Sequence, residues 1–138
     1  MKNTKIGRID YSNLITPPQK HERDTAKFFA NRGLDIMFIR PSSIAGMHSP
    51  DFIMCGKYWE TKSPILYGKS SFEDNFKKAE LQSCNIIYDL RRICSRDREI
   101  YLKELRRRCS SRRVKNLLVI DWDGNLLTLK GDGVNIRI

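Results

Sequence analysis

The sequence predicts one mixed helix-and-sheet domain, an α/β or α+β sandwich. Three observations carry this reading. At 138 residues the chain has the length of a single domain, enough to bury roughly two-thirds of its unfolded surface. Its 40% hydrophobic and 30% charged residues are ordinary for a globular protein. Helical and strand periodicities alternate along it as helix, three strands, one or two helices and two strands, with no internal repeat and no low-complexity tract.

Residues 1–18 are polar and mixed and end in Thr16-Pro17-Pro18, which reads as an N-terminal arm ahead of a domain spanning 19–138. From Gln19 to Arg32, Ala26, Phe28, Phe29 and Ala30 sit among charges and Gly33 follows as a stop, the pattern of a helix. Residues 35–40, DIMFIR, are rich in strand formers and closed by Pro41, and 41–49 form a loop. The stretch PDFIMCGKYWETK, residues 50–62, predicts a hairpin with Gly56-Lys57 at the turn. After a second loop, 63–70, Ser71 resembles an N-cap with Asp74 completing a capping box. The spacing of Phe72, Phe76, Ala79, Ile86, Ile87, Leu90 and Ile93 then predicts a long helix. Residues 91–115 stay helix-like around Tyr101, Leu102 and Leu105 and break near Cys109-Ser110-Ser111. Val114 to Asp121 and Leu126 to Leu129 read as two strands around Asp123-Gly124-Asn125. The turn explains Asp121 and Asp123 better than a second metal site does.

Lys and Arg number 26 against 16 Asp and Glu, a net charge of +10 with a pI near 9.7. Such a surplus favours a polyanionic partner, because each neutralised phosphate releases condensed counterions. The surplus is concentrated: residues 91–115 hold eleven Lys or Arg against three acids. Arg91, Arg92, Arg106, Arg107, Arg108, Arg112 and Arg113 are the candidate contacts to a nucleic-acid backbone. The basic run lacks the apolar stripe of a membrane-surface helix, no stretch approaches the roughly 18 apolar residues of a span, and no secretory signal is visible, so no membrane partner is expected. The four cysteines form no CxxC pair and are expected as buried, reduced thiols.

The hairpin raises the functional question. Strand parity puts Asp51, Glu60 and Lys62 on one face and Phe52, Met54, Trp59 and Thr61 on the other. Two adjacent carboxylates suit a hard cation such as Mg2+ or Mn2+, which activates water and polarises a phosphoryl oxygen, and a lysine beside them stabilises charge on the phosphate. A cross-strand ion pair on a solvated face explains the same three residues without any activity, so spacing alone leaves both readings open.

Pro50-Asp51, eight intervening residues and Glu60-Thr61-Lys62 resemble the motif of the PD-(D/E)xK nuclease superfamily. The stretches SPDFIMCGKYWETKSP and SSFEDNFKKAELQSCNIIYDLRR, with Gln82 and Asn85 at matching places, further resemble the C-terminal nuclease domain of contact-dependent growth-inhibition toxins. The resemblance implies an α/β fold with an αβββαβ core and a mixed sheet flanked by helices. It implies catalysis by Glu22, Asp51, Glu60 and Lys62, with Glu22, Asp51 and Glu60 as metal positions. Gln82, Ser49 and His48 are possible accessory residues, and His21 lies beside Glu22. It implies phosphodiester cleavage, favouring RNA, with tRNA the frequent substrate, over DNA. A divalent metal is expected, although action without one stays open. A cognate immunity protein is a further expected partner, and the cytoplasm is the expected site of action, with delivery into another cell left open. The rivals are a DNA endonuclease of restriction or repair type and a non-catalytic basic nucleic-acid-binding module.

Overall fold

A computed structural model describes residues 5–41 and 49–134. Within them one seven-stranded mixed sheet runs in chain order: β1 (Ile9–Asp10), β2 (Ile36–Phe38), β3 (Phe52–Met54), β4 (Lys57–Lys62), β5 (Asn85–Asp89), β6 (Asn116–Ile120) and β7 (Leu126–Lys130). The pairs β1–β2, β4–β5 and β5–β6 are parallel and the rest antiparallel. Three helices, α1 (Lys20–Ala30), α2 (Lys69–Gln82) and α3 (Arg98–Arg107), complete the domain. The expected helix, three strands, helix, strand order is therefore present as α1-β2-β3-β4-α2-β5. Both faces of the sheet are covered. Ala26, Phe28 and Phe29 of α1 pack on Phe52, Met54, Trp59, Ile87 and Leu118. Phe72, Phe76, Tyr101 and Leu105 of α2 and α3 pack on Ile86, Tyr88, Leu117 and Val119. Every position of β5 and β6 is buried, as parallel strands between two helix layers require.

Several sequence expectations shift. The helix expected to run through Ile93 ends at Gln82, and Ile86, Ile87 and Leu90 belong to β5 and its exit. An apolar run buried on both faces mimics a helical stripe, and only the β-branched pair Ile86-Ile87 hints at the strand. The N-cap of α2 is Gly68, not Ser71, so the Ser71–Asp74 capping box does not form. The 1–18 segment contributes β1 at the sheet edge, pairing Ile9 with Ile36.

The hairpin turn is Cys55-Gly56 rather than Gly56-Lys57. Both residues have positive φ, 54° and 73°, the backbone of a two-residue type I′ turn, and Met54 opposes Lys57. The register thus slips by two residues from the expected one, so Phe52 faces Trp59. A slip of two preserves side-chain parity. The cysteines are free, as expected, but not buried: Cys55 is exposed in this turn and the other three are half-buried. The break after α3 lies where expected, at the 3-10 turn Arg108–Ser110.

Candidate functional site

Asp51 sits just before β3 and is tied into the sheet at both ends, its N–H donating to the Trp59 carbonyl (2.8 Å) and its carbonyl accepting from Ile39 (2.9 Å). Trp59 anchors the hairpin from the core side: it is fully buried and its indole N–H donates to the Met54 carbonyl at 2.9 Å. With this frame fixed, the opposite face of β4 presents Glu60 and Lys62. The Lys62 ammonium lies 3.1 Å from Glu60 Oε2 and donates to Gln82 Oε1 at 3.2 Å. Gln82, the last residue of α2, also directs its amide nitrogen to the Ser49 carbonyl, 3.5 Å away.

Asp51 is the hub of the acids. Its Oδ2 accepts both the N–H (2.8 Å) and the hydroxyl (2.7 Å) of Thr61. Its charge acts on both Glu22 and Glu60. Glu22 is delivered by the first turn of α1, where its Oε1 also accepts the Gln19 N–H at 2.8 Å. Glu60 is 2% exposed, and its Oε1 has no hydrogen-bond partner. Burial first, then the neighbouring Asp51 charge, push its carboxyl up to about 8 against the pull of Lys62. Burial and Asp51 likewise raise Glu22. Burial and the Arg92 charge lower His21.

The structure therefore brings Glu22, Asp51, Glu60, Lys62, Gln82 and Ser49 together. His48 lies outside the described residues. Although Asp51 acts electrostatically on both glutamates, among the described residues no group of three or more His, Cys, Asp or Glu side chains is spaced to hold a metal ion. The features that fit a cation are narrower: the partnerless Glu60 Oε1 and the adjacent Asp51 carboxylate. Sequence reading missed Thr61, because alternation sends its side chain to the core face. Its place between Glu60 and Lys62 is the signal that was available.

The arginines divide. Arg91 is clamped on Asp89 (2.9 and 2.7 Å) and Arg92 donates to the Ser63 carbonyl (2.6 Å), beside the acids. Arg106, Arg112 and Arg113 are exposed, and Arg107 pairs with Glu104 at 3.5 Å. The half-buried Arg108 lies over the Phe72 and Phe76 rings, 5.4 and 5.9 Å from their centroids, and fastens the end of α3 to α2. Asn85 is structural: its amide donates to the Tyr58 carbonyl (3.1 Å) and its oxygen accepts from Asn116 (2.8 Å). Asp121 accepts the Asp123 and Asn125 N–H groups, the turn role expected of it.

Residues 48–126, more than half of the chain and the whole of the Asp51–Gln82 constellation, match the model of the contact-dependent growth inhibition CdiA C-terminal domain. The chain belongs to this family. A solved structure similar to this CdiA C-terminal domain is the CdiA-CT/CdiI toxin and immunity complex from Burkholderia pseudomallei, with a TM-score of 0.63 and 18% identity over 90% of this chain and 99% of that one. At that identity the likeness speaks for the fold: the mixed sheet between helices is that of a known CdiA C-terminal domain. No curated protein matches the chain. Among the described residues of this domain, no helix is long and apolar enough to cross a membrane.

Proposed function

We propose that this CdiA C-terminal domain is a toxin nuclease of the PD-(D/E)xK kind that cleaves phosphodiester bonds in RNA, with tRNA the expected substrate. It would act in the cytoplasm of a cell into which it is delivered. The observation that carries the proposal is the Lys62 ammonium, held between Glu60 Oε2 and Gln82 Oε1 beside the Asp51 carboxylate. A solvated ion pair needs neither a buried acid nor a glutamine brace, and this pair has both.

In the proposed reaction an oxygen nucleophile attacks phosphorus, the P–O bond to the leaving oxygen breaks, and that oxygen takes up a proton. Lys62 stabilises the negative charge gathering on the phosphoryl oxygens. Asp51, held by two hydrogen bonds from Thr61, is fixed to orient the nucleophile and accept its proton. Gln82 fixes the position of the lysine. A divalent cation such as Mg2+ or Mn2+, when bound by Asp51 and Glu60 with Glu22 adjoining, supplies Lewis acidity at the phosphoryl oxygen. The similar Burkholderia pseudomallei toxin is in complex with an immunity protein, and a net charge of +10 here suits a cognate immunity protein that is acidic.

The test is to incubate the protein with total tRNA and with plasmid DNA, each in EDTA, Mg2+ and Mn2+. Discrete tRNA fragments with intact plasmid support the proposal. A cut plasmid with intact tRNA moves the substrate to DNA, and no cleavage under any condition removes the nuclease reading.

A further inference from the structure

Next to the acids, the parallel strands β4, β5 and β6 all end on one side of the sheet, at Lys62, Asp89 and Ile120. The crevice beyond the carboxyl ends of parallel strands is where α/β folds receive ligands. Here it is a cleft of about 500 Å3, walled by one flank of α1 and by the segments that follow those strands. That volume lies in the range of small-ligand and nucleotide sites.

Its lining is basic and held in place. The Arg32 guanidinium lies 3.5 Å over the Phe28 ring and donates to the Phe28 carbonyl (3.0 Å) and the Gly124 carbonyl (3.3 Å). Arg91 is set by Asp89 and by the Asp24 carbonyl (3.0 Å), with its guanidinium 5.3 Å from the same ring. Each guanidinium carries five N–H donors, so these bonds fix the fork without exhausting it. The exposed Lys27 and the Arg92 fixed on Ser63 complete the lining. The two acids present are already matched: the buried Asp89 by Arg91 and the Thr25 hydroxyl (2.7 Å), and Asp24 by Lys20 (2.7 Å). The cleft adjoins the acid site directly, since Ser63 follows Lys62 and His21 stands within electrostatic reach of both Asp51 and Arg92.

We propose that this cleft is a phosphate subsite, in which Lys27, Arg32, Arg91 and Arg92 bind a backbone phosphate of the substrate strand next to the one being cleaved. This rests on the nuclease reading above and assigns it a direction, with the strand passing from Lys62 across Ser63 into the cleft. Rigid guanidinium forks suit the geometry of a phosphate better than flexible surface lysines do. An immobilised pair also loses less conformational entropy on binding.

The experiment measures binding of a fluorescein-labelled, single-stranded 2′-O-methyl oligoribonucleotide in EDTA, at several salt concentrations, by fluorescence anisotropy. Arg32→Gln is expected to weaken binding about tenfold and to make the plot of log K against log salt shallower by about 0.7, the counterion release of one phosphate on a single strand. Lys27→Gln, which alters only an exposed side chain, should shift both quantities in the same direction and guards against loss of folding in the first variant. Lys57→Gln, on the hairpin, should leave both unchanged. Wild-type affinity and slope in both cleft variants would overturn the proposal, as would tighter binding of labelled polyglutamate than of the oligonucleotide. Cleavage of total tRNA in EDTA, Mg2+ and Mn2+ is scored separately. If the wild type binds without cutting while the cleft variants bind weakly, the cleft stands and the nuclease reading falls. If it cuts while the cleft variants bind like wild type, the reverse holds.

Discussion

Glu60 is a carboxyl whose surroundings oppose its charge, and that opposition is measurable. Its carboxyl is raised from an ordinary 4.5 to about 8, so the folded state holds a proton that the unfolded chain releases. Stability from this group is complete below about pH 4.5 and is lost as pH rises through about 8. Glu60→Gln removes the cost of ionisation. In EDTA its melting temperature should exceed that of wild type at pH 9 by about 5 °C, roughly 1–2 kcal/mol, and the two proteins should converge near pH 5. Thermal melts across this range check it, and parallel curves would refute the assignment. At this scale the sequence was informative. Strand parity grouped Glu60 with Lys62 despite the misplaced turn, and Gln82 and Asp51 act on that pair from α2 and from just outside β3. The Thr61 hydroxyl on Asp51 was signalled only by its place between Glu60 and Lys62, because alternation assigns that side chain to the core and Asp51 lies just off the end of its strand, where alternation no longer governs.

The elements show where periodicity misleads. The segment after Gln82 repeats apolar residues at intervals compatible with a helix, yet burial on both faces of a parallel sheet makes the same residues a strand. The hairpin turn was misplaced because Gly56 was assigned the first turn position, whereas the type I′ turn uses it at the second and forces Cys55 to φ 54°. Asparagine tolerates that backbone better than cysteine, and Asn-Gly is the favoured pair for this turn. Cys55→Asn should therefore raise the melting temperature by about 1–3 °C, corresponding to a few tenths of a kcal/mol to about 1 kcal/mol, with activity unchanged. A calorimetric scan measures it, and a lowered transition would contradict the turn assignment. Gly56, at φ 73° with nothing within 4 Å of an added Cβ, fails differently: Gly56→Ala should cost about 1 kcal/mol from backbone strain alone.

For the molecule as a whole, composition pointed towards a polyanion without locating it. The surplus of basic residues in 91–115 is one block in sequence but two places in the fold, because the chain leaves β5 beside the acids at Arg91 and Arg92 and returns along α3 on the α2 side of the sheet. The cleft between α1 and the strand ends draws Lys27 and Arg32 from a distant part of the chain, and no spacing rule links them to Arg91. The order of helices and strands was legible in local periodicity, and a mixed sheet flanked by helices followed from the family resemblance; the meeting of α1 with the strand ends depends on tertiary docking. The central claim, that the Asp51–Glu60–Lys62 hairpin is a nuclease site, meets its most direct test in end-mapping of products from total RNA with wild type and Lys62→Ala side by side. Wild type should give defined fragment ends, their yield should fall by about 10²-fold or more in the variant, and the circular dichroism spectra should superimpose. Equal yields of the same fragments from both proteins would contradict it.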